Sequence, residues 1–190
     1  SRGVDESFTV YSGQIEMVVE WKETGEEVEL FDIINFSDFR PERIREAASE
    51  ALAHARMRAT AVPLPAIKGV PVILRRENVG KFFDYYVAQT DAALIYQKYS
   101  SAKAGCGIQG DTVEGDKINL TLLPELDNST VSRYIDADGV KLHETPVIRE
   151  GVLTSIHGSN RYSQYLGIAP TGMIGNVRVE GGSRSLAELK

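Results

Sequence analysis

Apolar and polar residues alternate along residues 15–22 of the chain. Ile15, Met17, Val19 and Trp21 fall on one side of an extended segment, and glutamate and lysine occupy most of the positions between them. A period of two is typical of a β-strand with one buried face. Residues 28–34 resume an apolar run after the turn sequence Glu-Thr-Gly-Glu at residues 23–26. We therefore predict a β-hairpin over this part of the chain.

The pattern changes to a helical period between residues 38 and 59. Apolar residues recur there three and four positions apart and form one stripe, at Ile44, Ala47, Ala48, Ala51, Leu52 and Ala55. Pro41 suits the first helical position, where its missing N–H costs nothing. Pro63 and Pro65 end the helix and begin a connector.

A second helical stripe starts at Val79 and continues to about residue 99. We expect its aromatic residues to lie mostly in the core, with Tyr85 exposed; they are Phe82, Phe83, Tyr85 and Tyr86. The short apolar run at residues 69–74 predicts a strand just before this helix.

Short predicted strands dominate the chain after a Gly-rich loop at residues 105–115. They lie at residues 117–123, 133–135, 140–149, 152–157 and 174–179, and a short helix is predicted at 161–166. This order predicts an α+β fold: a largely antiparallel sheet, barrel-like or sandwich-like, with two amphipathic helices packed on it. We expect a hairpin and Ala-rich helix in residues 1–62 and a helix plus antiparallel region in residues 63–190, or one continuous domain.

Composition narrows the class of protein. The chain has 190 residues, 42% of them hydrophobic, which is enough for a real core. The net charge of −6 favours neither nucleic acid nor an anionic membrane. No apolar run is long enough to cross a bilayer, and the polar start predicts no signal peptide. The single cysteine, Cys106, fits a reducing compartment, so we expect a cytoplasmic location. The start at Ser1 and the barely begun helix at the C-terminus suggest a segment of a longer protein.

Three motifs follow one another in a fixed order within residues 133–172. The first is Arg133-Tyr-Ile-Asp136-Ala-Asp138-Gly139, the second a hairpin at Glu150-Gly151, and the third a short helix ending at Gly167 before Pro170-Thr171-Gly172. In this order they resemble the TldD/PmbA family, known as modulators of DNA gyrase or as peptide-maturation metalloproteases. The resemblance covers roughly residues 28–190.

The resemblance also implies a departure from the active members of that family. Those members carry His-Glu-x-x-x-His on the helix after the strand that matches residues 70–74, with the histidines as zinc ligands and the glutamate as general base. Here the motif positions are occupied by Asp84, Tyr85 and Gln89. Glu77 lies nearby but is flanked by Arg76 and Lys81, which are not usual zinc ligands.

The chain therefore resembles the PmbA-type branch, which lacks the zinc motif. That branch implies a non-catalytic subunit that assists peptide processing by a zinc-bearing homologue, with zinc supplied only by the partner. The implied partners are such a homologue, or a second copy in a homodimer, and unfolded peptide. Nucleic acid and membranes are not expected partners. The alternatives are a non-enzymatic, self-assembling peptide-binding or scaffold module and an independent hydrolase.

If the Asp-Gly and Pro-Thr-Gly loops of the motif region line a cavity, they supply the substrate-binding candidates. These are Arg133, Asp136, Gly139, Thr171 and Gly172. The simpler interpretation is that they are turns that define the fold. A calcium loop starting at Asp136 is disfavoured, because its twelfth position is Val147 and not a glutamate.

An independent hydrolase would need either Cys106 or a Glu144–His157 pair. A two-residue turn at Glu150-Gly151 would place Glu144 opposite His157 and would direct His143 to the other face. A cross-strand pair is the simpler interpretation of Glu144 and His157. His54 is predicted on the polar side of the first helix, and Cys106 is predicted to be a plain free thiol.

Overall fold

A computed structural model describes residues 3–23, 26–75, 77–110 and 112–189. The described chain forms two compact units, one made of Asp5–Pro71 with Asp127–Thr130 and the other of the remaining residues. The elements in chain order are β1 Gly13–Glu23, β2 Glu26–Phe36, α1 Pro41–Ala59, α2 Glu77–Gln89, α3 Ala92–Tyr96, β3 Leu120–Leu123, β4 Thr145–Arg149, β5 Val152–Leu153, α4 Asn160–Leu166, β6 Asn176–Val179 and α5 Leu186–Leu189. The predicted division of the chain into domains at residues 1–62 and 63–190 stays a prediction.

The first unit is the predicted hairpin with its helix. β1 and β2 pair antiparallel, with Ile15 opposite Ile34 and Trp21 opposite Val28. Exposure alternates along β1 as the sequence pattern predicts, with the odd-numbered residues shielded. Helix α1 packs on both strands and has Pro41 in its first turn. The predicted turn residues 24 and 25 lie outside the described residues.

Two details of the predictions for this part of the chain are wrong: the place of Leu52 in the apolar stripe of α1 and the strand at residues 69–74. Alanines four residues apart form the buried face of α1, at Ala51, Ala55 and Ala59. Leu52 is 48% exposed, because it lies about 100° around the helix from Ala51. Residues 69–74 form no strand: no described strand lies alongside to accept their backbone hydrogen bonds, and Val72 is 74% exposed.

The predicted helix over residues 79–99 is two helices. α2 ends at Gln89, and Asp91 begins α3 by accepting hydrogen bonds from the backbone N–H groups of Ala93 and Leu94, at 2.7 and 3.3 Å. An aspartate at this position satisfies donors that a helix start leaves unpaired. The side chain of Thr90 instead bonds back to the α2 carbonyls of Tyr86 and Val87.

The core of the second unit lies on a four-stranded sheet with the order β5-β4-β3-β6, in which every pairing is antiparallel. Its fully buried members are Leu120, Leu122, Val147, Ile148 and Leu153. Tyr86 and Val87 of α2 pack against this cluster while half-exposed. The predicted α+β fold with a largely antiparallel sheet is confirmed. The sheet is open, so it does not close into the predicted barrel-like form.

The turn at Glu150-Gly151 and the end of the short helix at Gly167 form where the sequence predicts them. Arg149 pairs with Val152, and the intervening Glu150 and Gly151 have φ values of 48° and 72°, as a two-residue type I′ turn requires. α4 ends at Gly167 in the left-handed conformation. The predicted strands at 133–135 and 140–149 are shorter than expected: only a single bridge joins Ile135 to Lys141 before β4 begins.

The helices in the described residues all lack the combination of length and apolar composition that is needed to span a membrane.

Candidate functional site

The Asp136 carboxylate holds together the turn in which it lies. Its Oδ1 accepts hydrogen bonds from the backbone N–H groups of Asp138 and Val140, at 3.0 and 2.9 Å. The backbone N–H of Gly139 donates to the Asp136 carbonyl at 3.1 Å, and Gly139 has a φ of 80°. An aspartate that bonds its own following backbone in this way defines a turn.

The same carboxylate also reaches the Pro-Thr-Gly loop. Asp136 Oδ2 accepts a hydrogen bond from the Met173 N–H at 3.0 Å. Thr171 Oγ1 accepts one from the Gly158 N–H at 3.0 Å. Gly172 has a φ of 74°, and a side chain there would collide with Leu142. The structure therefore brings four of the five substrate-binding candidates into one hydrogen-bonded region.

Arg133, the fifth candidate, is half-buried. Its backbone N–H donates to the Pro124 carbonyl at 2.9 Å, and its guanidinium Nη1 donates to the Ser132 carbonyl at 2.6 Å. The hydrogen bonds named here for the five candidates thus all join them to the backbone of the protein. They favour fold-defining turns, and a role in substrate binding stays a prediction.

The residues of α2 do not fit a zinc site. None of the three residues at the motif positions, Asp84, Tyr85 and Gln89, is a histidine, and Tyr85 is 60% exposed, with its ring centroid 5.4 Å from that of Tyr86. The Glu77 carboxylate accepts a hydrogen bond from Lys81 Nζ at 3.2 Å. Within the described residues, no three His, Cys, Asp or Glu side chains gather as a metal would require.

The aromatic face of α2 is only partly shielded: Phe83 and Tyr86 are partly buried and Tyr86 packs against the core, so the expectation of a core position is wrong for Phe82 alone. No residue of α2 is fully buried, and Phe82 is 49% exposed. The rings also contact one another. The ring centroid of Phe82 lies 5.2 Å from that of Phe83 and 5.9 Å from that of Tyr86. The prediction that Tyr85 is exposed is confirmed.

The predicted Glu144–His157 pair is wrong, and with it one of the two catalytic arrangements considered for an independent hydrolase. His157 is buried, and its Nε2 lies 2.9 Å from the Val87 carbonyl. Burial lowers its pKa below the usual 6.5, opposed by that hydrogen bond and by the charge of Asp91. Glu144 is exposed and accepts a hydrogen bond from Arg178 at 3.0 Å. The strand ends at Leu153, so the predicted register does not reach His157.

The other candidate nucleophile lies on a loop. Cys106 is an exposed free thiol, as predicted, and its carbonyl accepts a hydrogen bond from Leu153 at 2.9 Å. Among its contacts in the described part of the chain there is no base of the kind that a cysteine nucleophile requires. His143 is exposed, and His54 is half-exposed on α1.

One aromatic cluster is not predicted from the sequence. Tyr96 of α3 and Tyr162 and Tyr165 of α4 form a closed group of three rings. The three-residue spacing of Tyr162 and Tyr165 on a predicted helix was the available signal, because such residues share a helix face. Their meeting with Tyr96 depends on the packing of α3 against α4.

Comparison with known proteins agrees with the fold and the motifs. A family model for the PmbA/TldA metallopeptidase C-terminal domain matches residues 67–189. A zinc metalloprotease TldD homolog from Saccharolobus solfataricus is 31% identical over 103 residues, which make up 54% of this chain and 22% of that protein.

Solved structures show the same fold at low sequence identity. TldE from Thermococcus kodakarensis matches 92% of this chain with a TM-score of 0.68 and 16% identity. A protein described as a modulator of a DNA gyrase, from Thermotoga maritima, matches 93% of it with a TM-score of 0.73 and 20% identity. In both cases the chain spans 42% of the relative's length. Because the family model covers well over half of its residues, the chain belongs to the TldD/PmbA metallopeptidase family.

Proposed function

We propose that this chain is a non-catalytic subunit that assists peptide processing by a zinc-bearing homologue. The observation that carries the proposal is the composition of α2. At the position of the family's zinc motif this helix has Asp84, Tyr85 and Gln89, so the chain does not supply the two histidines. A chain that keeps the family fold without that metal motif fits the role of a partner subunit better than that of the catalytic one.

The exposed surface of the same helix supports association with another protein. Phe82 and Tyr85 are 49% and 60% exposed, and aromatic residues of this kind are enriched at the centres of protein interfaces. Burying them against a partner would recover about 25 cal/mol for each square ångström of apolar area removed from water. The homologous zinc-bearing subunit is the occupant that the family relationship favours.

The open sheet offers a mode of handling unfolded peptide. β6 is an edge strand of the four-stranded sheet and is anchored by Asn176, whose side-chain amide donates to the Leu123 carbonyl at 3.1 Å. An extended peptide can add to such an edge through main-chain hydrogen bonds, which tolerate many sequences. This tolerance suits an enzyme complex that acts on unfolded chains.

The test is reconstitution with a zinc-bearing TldD-type homologue from the same organism. We expect no cleavage of an unfolded peptide by this chain alone and faster cleavage when it is added to the homologue. The double variant Phe82→Ser/Tyr85→Ser should weaken the association about tenfold. Tyr11→Ser removes a tyrosine that is 74% exposed outside α2 and serves as the matched control. Cleavage that is indifferent to this chain would contradict the proposal.

A self-assembling scaffold is the second candidate, and the connector before α2 favours it. Val62 and Leu64 are each more than 70% exposed there, and exposed apolar surface is one mark of a region that associates. Light scattering distinguishes the two functions. A stable homodimer that does not bind the zinc-bearing homologue would support the scaffold.

A further inference from the structure

Three tyrosine rings form a closed, solvent-facing group on α3 and α4, which we call the tyrosine patch (Tyr96, Tyr162 and Tyr165). The ring centroid of Tyr96 lies 5.9 Å from that of Tyr162 and 5.0 Å from that of Tyr165, and Tyr162 and Tyr165 are 5.9 Å apart with perpendicular rings. Tyr96 and Tyr165 are 47% and 58% exposed. No part of the proposed subunit interface on α2 includes these residues.

The patch has a rigid base. Ala92 at the start of α3 and Ser163 in α4 are fully buried, so each helix is fixed on the side away from solvent. The Ala92 N–H donates to the His157 carbonyl at 2.7 Å. Gln97 Nε2 donates to the Tyr162 hydroxyl at 3.2 Å. Rigid tyrosines lose little conformational entropy when they bind a ligand.

The chain segments that carry the patch contain cations and no carboxylate beyond Asp91 at the start of α3, although the protein is acidic overall. The chain has 27 Asp and Glu residues, but none of them lies in the two segments that carry the patch, residues 92–110 and 151–179. Lys98 lies two positions after Tyr96, and Arg161 lies four positions before Tyr165 on α4. Both cations are exposed, and neither has an ion pair in the described part of the chain.

We propose that the tyrosine patch, with Lys98 and Arg161, docks an acidic, extended peptide segment. The inference rests on the proposed function and adds a substrate preference to it. The rings provide apolar surface for the carbon atoms of the peptide, their hydroxyl groups can donate hydrogen bonds, and the two free cations attract its carboxylates. Tyrosine and arginine together are typical of the residues that dominate binding energy at interfaces.

Two observations favour a peptide over single-stranded nucleic acid. Nucleic-acid binding draws most of its affinity from many phosphate contacts, whereas the chain has a net charge of −6 and these two segments carry few cations. The patch rings also pack against one another at 5.0 to 5.9 Å, which occupies surface that successive bases would need for stacking.

The test is fluorescence anisotropy with a labelled ten-residue peptide rich in glutamate and its counterpart with glutamine in place of glutamate. We expect the glutamate peptide to bind about tenfold more tightly, with the difference shrinking at high salt. Tyr165→Ala and Arg161→Gln should each weaken its binding about fivefold. Tyr11→Ala and Lys141→Gln, an exposed tyrosine and lysine outside the patch, should change it less than twofold. Far-UV circular dichroism confirms that each variant is folded.

Equal binding of the two peptides, or equal losses in the patch and control variants, would overturn the inference. Tighter binding of single-stranded RNA than of the glutamate peptide would overturn it in favour of nucleic acid. A separate measurement distinguishes this inference from the proposed function. The Tyr165→Ala variant should still stimulate cleavage of a neutral peptide by the zinc-bearing homologue. If wild-type protein fails to stimulate any cleavage, the proposed function fails, whatever the anisotropy shows.

Discussion

At the scale of single residues, Asp136 links two loops that are far apart in the sequence. Its carboxylate accepts hydrogen bonds from the N–H groups of Asp138, Val140 and Met173. Removing it leaves those donors without their partner, which costs more than the bonds contribute when made. This position therefore separates a structural role from a substrate-binding role.

Asp136→Ala should lower the free energy of unfolding by about 1–3 kcal/mol. Asp136→Asn, which retains one acceptor oxygen, should lose less. Urea unfolding followed by circular dichroism measures both. Full stability in the alanine variant together with weaker peptide binding would instead support the substrate-binding role of the loop.

Gly172 and Gly167 form a matched pair for a second prediction. Both have positive φ, 74° and 69°, but a Cβ at Gly172 would collide with Leu142 and lie 3.0 Å from Asp136 Oδ2, whereas one at Gly167 has nothing within 4 Å. Gly167→Ala should cost about 1–2 kcal/mol from backbone strain alone. Gly172→Ala should cost about 1–3 kcal/mol more because of the clash. If thermal unfolding shows equal losses of stability in the two variants, the loop around Gly172 accommodates the added Cβ at no energetic cost.

At the scale of elements, His157 fastens the junction of α2 and α3. Its N–H and carbonyl bond to Thr90 and Ala92, and its ring contacts the Val87 carbonyl at 2.9 Å. The charged groups that face it include Asp91, whose attraction is weaker than the effect of burial. The junction is therefore held by a neutral, buried imidazole.

Because burial lowers the pKa of His157 in the folded state, the unfolded chain binds the proton more readily. The stabilisation from the neutral ring is complete above pH 6.5 and is lost as the pH falls below that value toward the folded pKa. His157→Gln should reduce this loss between pH 7 and 5, as measured by urea unfolding. His143→Gln, at an exposed histidine, is the control and should leave the slope unchanged.

At the scale of the whole molecule, the expected absence of a metal site has a direct consequence. A metal that bound only the folded state would raise the unfolding temperature in proportion to the logarithm of its concentration. We expect added zinc or EDTA to shift the melting temperature of this chain by less than about 1 °C. Elemental mass spectrometry after dialysis against trace zinc should find a stoichiometry near zero. A value near one would mean that the protein binds zinc through residues other than those at the motif positions of α2.

Several elements could be predicted from the sequence because their signals are local. Alternation along residues 15–22 gives the shielded face of β1, and the Glu150-Gly151 pair gives a two-residue turn. Gly167 marks the end of α4. These features depend on backbone geometry and on neighbours a few residues away, so no distant contact is needed to specify them. The substitution of the zinc motif is also visible in the sequence alone.

Other features were decided only by the tertiary structure. The apolar pattern resumes at Ala93 and Leu94 after the polar residues 90 and 91, but the capping of α3 by Asp91 and the bonds of His157 to this junction break the helix there. His157 pairs with Val87 and not with Glu144, because strand β5 ends four residues earlier. The tyrosine patch likewise needs two helices to meet. A sequence pattern determines which face of an element is apolar, whereas contacts between distant segments determine where the element stops and what that face touches.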